Sequence, residues 1–98
     1  MRIRYKRSGG FAGLLRGCTI DVARLAPAAA LLVKGLIKVA QRVKVKSART
    51  PGVADLPVHE VTIETDAGTL ELSFDDMALP KSLKPLVEFL ARRSKPLS

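Results

Sequence analysis

The sequence holds one cysteine, Cys18, and one histidine, His59, and these two shortages remove whole classes of function. A single cysteine cannot form an intramolecular disulfide, so the cross-linked scaffold of many small secreted inhibitors is excluded. One cysteine and one histidine cannot close a tetrahedral zinc site without distant carboxylates. No nucleophile motif accompanies His59, which stands at the start of an expected strand and reads as a structural or exposed residue. Cys18 lies beside Thr19 and Ile20 in another expected strand. A small buried apolar residue is the simpler reading there, because no neighbour in the sequence supplies the base or cationic pocket that a reactive thiol needs. No cofactor is expected, and neither is an enzyme.

Long apolar runs are also missing. The longest, Leu25 to Ala40, is interrupted by Pro27, Lys34 and Lys38 and is shorter than the roughly 20 residues that a membrane span needs. The basic start is that of a signal peptide, but Ser8-Gly9-Gly10 and Arg16 break any apolar h-region. The expectation is a cytoplasmic protein, with export by another route left open, and no membrane partner. The 98 residues suffice for one domain, 1–98, with 94–98 as a frayed tail, and leave little room for a deep substrate cavity beside the core.

Charge is present in excess but unevenly. The formal net charge is +8, yet no lysine or arginine occurs between Thr50 and Pro80, where Asp55, Glu60, Glu64, Asp66, Glu71, Asp75 and Asp76 all lie. One hairpin is therefore acidic and the remainder basic.

Arg2-Ile3-Arg4-Tyr5-Lys6 alternates charged and apolar residues, which predicts a strand with Ile3 and Tyr5 inward. After the glycine-rich Ser8–Gly13 stretch, Leu14 to Asp21 resumes as a second strand. Pro27 suits the first turn of a helix continuing to Ala40, and Leu31, Leu32, Leu36 and Val39 recur at three- and four-residue steps, which places them on its inward face. Val43 to Leu56 mixes bases with breakers and reads as a loop or a frayed helix end. Val58–Thr65 and Thr69–Phe74 form a second hairpin around Asp66-Ala67-Gly68, with Val61, Ile63, Leu70, Leu72 and Phe74 inward. Leu79, Leu83, Leu86, Val87 and Leu90 mark a final helix with Ser82 as its N-cap, so that Pro85 falls in the first turn. The order ββαββα predicts an α+β fold, a four-stranded, mostly antiparallel sheet with two helices packed on one face. Its connectivity also brings the Ser8–Gly13 and Asp75–Ala78 loops to the same end of the sheet.

The run from Met1 through Arg7-Ser8-Gly9-Gly10-Phe11-Ala12-Gly13, together with Asp76-Met77-Ala78-Leu79-Pro80 and Leu83-Lys84-Pro85-Leu86-Val87, is similar to sequences of the emfourin family, bacterial inhibitors of protealysin-type metalloproteases of the thermolysin class. The resemblance implies a non-enzymatic inhibitor whose partner is such a protease; a monomer is expected when it is free. It implies a protease-binding surface of Ser8, Gly9, Gly10, Phe11, Ala12, Gly13, Asp75, Asp76 and Met77. The loop around Phe11 would enter the substrate pockets, and Asp75 or Asp76 would reach the target's catalytic zinc.

Two rival readings rest on charge. Arg2, Arg4 and Lys6, or Arg42, Lys44, Lys46 and Arg49, could form a phosphate-binding patch of a small nucleic-acid-binding module. Stacking platforms are scarce, because Tyr5 and Phe74 are expected to point inward. Attachment to anionic membranes through the first helix ranks last, because that helix is needed to cover the sheet.

Overall fold

The computed structural model of the chain describes residues 1–9, 15–53 and 55–97. Strand β1 (Arg2–Ser8) pairs antiparallel with β2 (Arg16–Asp21) on one side and with β4 (Val58–Thr65) on the other. β4 continues through the turn at Asp66 and Ala67 into β5 (Gly68–Asp75). Two short strands extend the sheet: β3 (Ser47–Ala48) runs parallel to β5, and β6 (Lys95–Pro96) pairs with β2. The result is a six-stranded mixed sheet in the order β3-β5-β4-β1-β2-β6, in place of the expected four-stranded one.

Both additions correct the sequence reading. The expected loop after the first helix contains β3, and the expected frayed tail is paired as far as Leu97, whose N–H donates to Leu15 at 2.9 Å. Neither segment carries an alternation long enough to be recognised, because two-residue strands depend on the edge they join rather than on their own pattern.

Period-two alternation then divides the sheet into two faces. Ile3, Tyr5, Ile20, Val61, Ile63, Leu72 and Phe74 are buried together with residues of both helices in one core cluster. Leu70 is only partly buried against it. The opposite face carries Arg4, Lys6, Thr19, Glu60 and Glu71, and among the described residues no helix lies over it.

Helix α1 (Pro27–Gln41) opens on its proline, which lacks the N–H that would be unpaired there, and Ala26 supplies no side-chain cap. Its core residues are Val33, Ile37 and Ala40, not the expected Leu31, Leu32 and Val39, which are 74%, 54% and 37% exposed. Of the predicted seam only Leu36 packs against the core, and partly. The helix is apolar around most of its circumference, so two seams satisfy the same three- and four-residue spacing. The seam of alanine and β-branched residues lets the helix lie closer to the sheet than a leucine seam would.

Helix α2 (Lys84–Arg93) follows a 3-10 turn over Lys81–Leu83, so its N-cap is Leu83 rather than Ser82, and Pro85 sits in the first helical turn. It buries Leu86, Val87, Phe89 and Leu90, each of which contributes roughly 1.5–3 kcal/mol relative to exposure. No helix of the described chain is long and apolar enough to cross a membrane.

Candidate functional site

Cross-strand register fixes which ends of the sheet meet. Ser8 pairs with Val58, and Val58 pairs with Asp75. The chain therefore leaves β1 and β5 from one row of three strands, about 10 Å apart by ordinary strand spacing. Gly9 continues from Ser8 with φ +81, and a Cβ there would stand 3.3 Å from the Leu56 carbonyl oxygen. Both its backbone angle and its close approach to the β4 entry favour glycine. Gly10, Phe11, Ala12 and Gly13 lie outside the described residues. On the β5 side, Met77 is 65% exposed, so Ser8, Gly9, Asp75, Asp76 and Met77 are gathered at one end.

The two adjacent aspartates have different surroundings. Asp75 is 3% exposed, and its carboxylate accepts hydrogen bonds from the Thr50 N–H, from the Thr50 hydroxyl at 2.9 Å, from the Met77 N–H at 3.0 Å and from the Ala78 N–H at 2.7 Å. Burial acts to raise the Asp75 pKa, but the backbone N–H groups of Thr50 and Ala78, the Thr50 hydroxyl and the Met77 N–H outweigh it and hold the carboxyl below its ordinary value. With its oxygens so occupied, Asp75 shapes the loop and offers little to a partner.

Asp76 has a side chain 56% exposed, and its Oδ1 meets His59 Nε2 at 2.8 Å. Its other oxygen makes no hydrogen bond among the described residues. His59 is itself buried, at 6% exposure, and its Nδ1 lies 2.8 Å from the Tyr5 hydroxyl, with the two rings stacked 6.0 Å apart. Burial raises the Tyr5 pKa, partly offset by Arg7, with Cys18 and Asp76 adding to the rise, so the phenol remains a donor. With a neutral imidazole, one arrangement satisfies every group: Tyr5 O–H donates to Nδ1, and Nε2–H donates to Asp76. A chain of two short hydrogen bonds thus runs from the core to one surface carboxylate. A shallow cavity of about 270 Å³ adjoins it, lined by His59, Asp76, Leu79, Lys84, Val87 and Glu88.

Sequence reasoning singled out the loop but missed its support. His59 shares parity with Val61 and Ile63 along β4, so the alternation alone could have placed it inward, whereas nothing in the sequence announces Thr50 as the partner of Asp75. Cys18 is partly buried, and its thiol donates to the Leu90 carbonyl at 3.4 Å. Burial raises its pKa, with Arg93 opposing, which leaves it a poor nucleophile at neutral pH. Among the described residues no group of three His, Cys, Asp or Glu side chains is arranged to hold a metal ion.

A family model described as Emfourin matches residues 5–91. No curated protein and no solved structure is similar enough to match.

Proposed function

The chain belongs to the emfourin family, a family of protease inhibitors, and we propose that it inhibits a thermolysin-like zinc metalloprotease by presenting Asp76, at the same end of the sheet as Ser8 and Gly9, to the catalytic cleft. One observation carries this reading: of the two aspartates, Asp76 is the exposed one, and a buried histidine anchors it through a single oxygen. An anchored carboxylate loses less side-chain freedom on binding than a mobile one, so more of its interaction energy appears as affinity. The open position of a catalytic zinc ordinarily holds the water that attacks the scissile carbonyl. A carboxylate oxygen in that position removes the nucleophile, and the inhibitor needs no chemistry of its own. Asp75 serves the same end indirectly, because its contacts to Thr50, Met77 and Ala78 set the direction in which the loop leaves β5.

The test is titration into a thermolysin-like protease with a peptide substrate. Activity should fall at stoichiometric inhibitor, and Asp76→Ala should weaken inhibition by roughly thirtyfold or more, the loss of a central hot-spot contact. Full proteolysis at excess inhibitor, or inhibition untouched by Asp76→Ala, would remove the proposal.

A further inference from the structure

Helix α1 packs on the core through Val33, Ile37 and Ala40 and turns a second apolar face away from it. Leu31, Leu32 and Val39 are exposed there, and Ala28 and Gly35 are exposed on the same side. A Cβ at Gly35 would meet no atom within 4 Å, so no other described part of the chain roofs the middle of this face. Lys34, Lys38 and Arg42 border it, and no Asp or Glu occurs anywhere between Asp21 and Asp55. The helix thus turns outward a ridge of leucine and valine with cations along its side and no acid of its own.

We infer that this face docks on anionic lipid bilayers, with the leucines entering the boundary between headgroups and acyl chains and the lysines meeting lipid phosphates. Charge complementarity selects this occupant. A second copy packed through the same face would set Lys34, Lys38 and Arg42 against their own equivalents, and like charges brought together oppose association. A protein partner needs a matched surface large enough for a stable interface, on the order of 1,200 Å² in total, whereas a bilayer accepts a convex ridge of any outline. Amphipathic helices that lie in the interface combine these two features, apolar side chains and flanking cations whose aliphatic stems lie along the apolar layer. The sequence alone argues against membrane attachment because α1 must cover the sheet. It covers the sheet with its other face. The inference is independent of protease inhibition.

Flotation of the full chain with vesicles of phosphatidylcholine plus phosphatidylglycerol, and with phosphatidylcholine alone, tests it. Binding is expected to the anionic vesicles only, to weaken as salt screens the lysines, and to fall by at least about tenfold in Leu31→Glu/Leu32→Glu. Leu31→Ser/Leu32→Ser should lose binding as well without adding charge, and circular dichroism of both variants should match the parent because the replaced side chains are exposed. Three results would overturn the inference: no binding to the anionic vesicles, binding that neither double variant reduces, or a parent dimer in sedimentation that either variant makes monomeric, which would assign the face to a second copy.

Discussion

Asp75 closes β5 by accepting four hydrogen bonds, and its depressed pKa ties the loop to pH. A carboxyl whose folded pKa lies below its unfolded value, about 3.9, contributes stability that is present above that value and is lost as pH falls through the folded one. Urea midpoints measured from neutral to acid pH should therefore decline on the acid side, and Asp75→Asn should flatten that limb while lowering the neutral midpoint; an unchanged acid limb would contradict the role given to Thr50 and the loop amides. Tyr5 acts through His59. Tyr5→Phe removes the donor to Nδ1 and should cost about 1–2 kcal/mol of stability. It should also weaken inhibition, though less than Asp76→Ala, since the carboxylate would remain but with looser support. Equal inhibition by Tyr5→Phe and the parent would reduce the Tyr5–His59 pair to a core contact. That Ser8, Gly9, Asp75, Asp76 and Met77 meet at one end of the sheet was legible in the sequence, but the different surroundings of two adjacent aspartates were not. They depend on Thr50, which is brought to Asp75 by the β3 pairing and not by any local pattern.

Elements with strong alternation were legible to within a residue or two. β1, β4 and β5 form where period-two patterns require them; the named inward residues are buried except Leu70, which is partly so, and His59 joins them unannounced. Helix α1 shows where pattern reading ends: its existence follows from Pro27 and the alanine-rich run, but its orientation does not, because lysines exclude only one sector of an otherwise apolar cylinder. The sector opposite those lysines holds Leu32, Leu36 and Val39, so charge alone favours the leucine seam, and close packing on the sheet overrides it. Ile37→Ala, in the buried seam, should cost about 2–5 kcal/mol through lost burial and a residual cavity. Leu31→Ala should stay within roughly 0.5 kcal/mol of the parent. Thermal or urea unfolding of the two variants checks this assignment, and the reverse order would restore the leucine seam to the core. The tail belongs to the same lesson. Residues too few to show a period still pair, since β2 offers an open edge.

Charge organises the whole molecule differently from what its net value suggests. On the helix-free face of the sheet, Arg4 meets Glu64 at 2.6 Å, Lys6 stands opposite Glu60, and Arg2 is flanked by Asp21 and Glu64. Glu60 and Glu64 of the acidic hairpin, with Asp21 of β2, thus offset Arg2, Arg4 and Lys6, which leaves that face of β1 a poor phosphate-binding stripe. Among the described residues, the cations without an acidic partner include those from Lys34 to Arg49, a stretch that holds no acid, Arg7 and Arg16, which face each other across β1 and β2, and those of the α2 end, Arg92 and Arg93 with Lys95. A field concentrated in this way steers encounter with an acidic surface more than it strengthens the docked state. For a protease with an acidic rim, the association rate should fall steeply as ionic strength rises, while the dissociation rate should change little. Stopped-flow inhibition measured across a salt series separates the two rates. Replacing Lys44 and Lys46 with Gln should reduce the salt dependence of association, whereas replacing Arg2 and Arg4 should not, because their charge is already matched by Glu64 and Asp21. If the β1 pair governed the salt slope instead, the acidic hairpin would not be screening the first strand, and the phosphate-binding reading of that face would regain its basis.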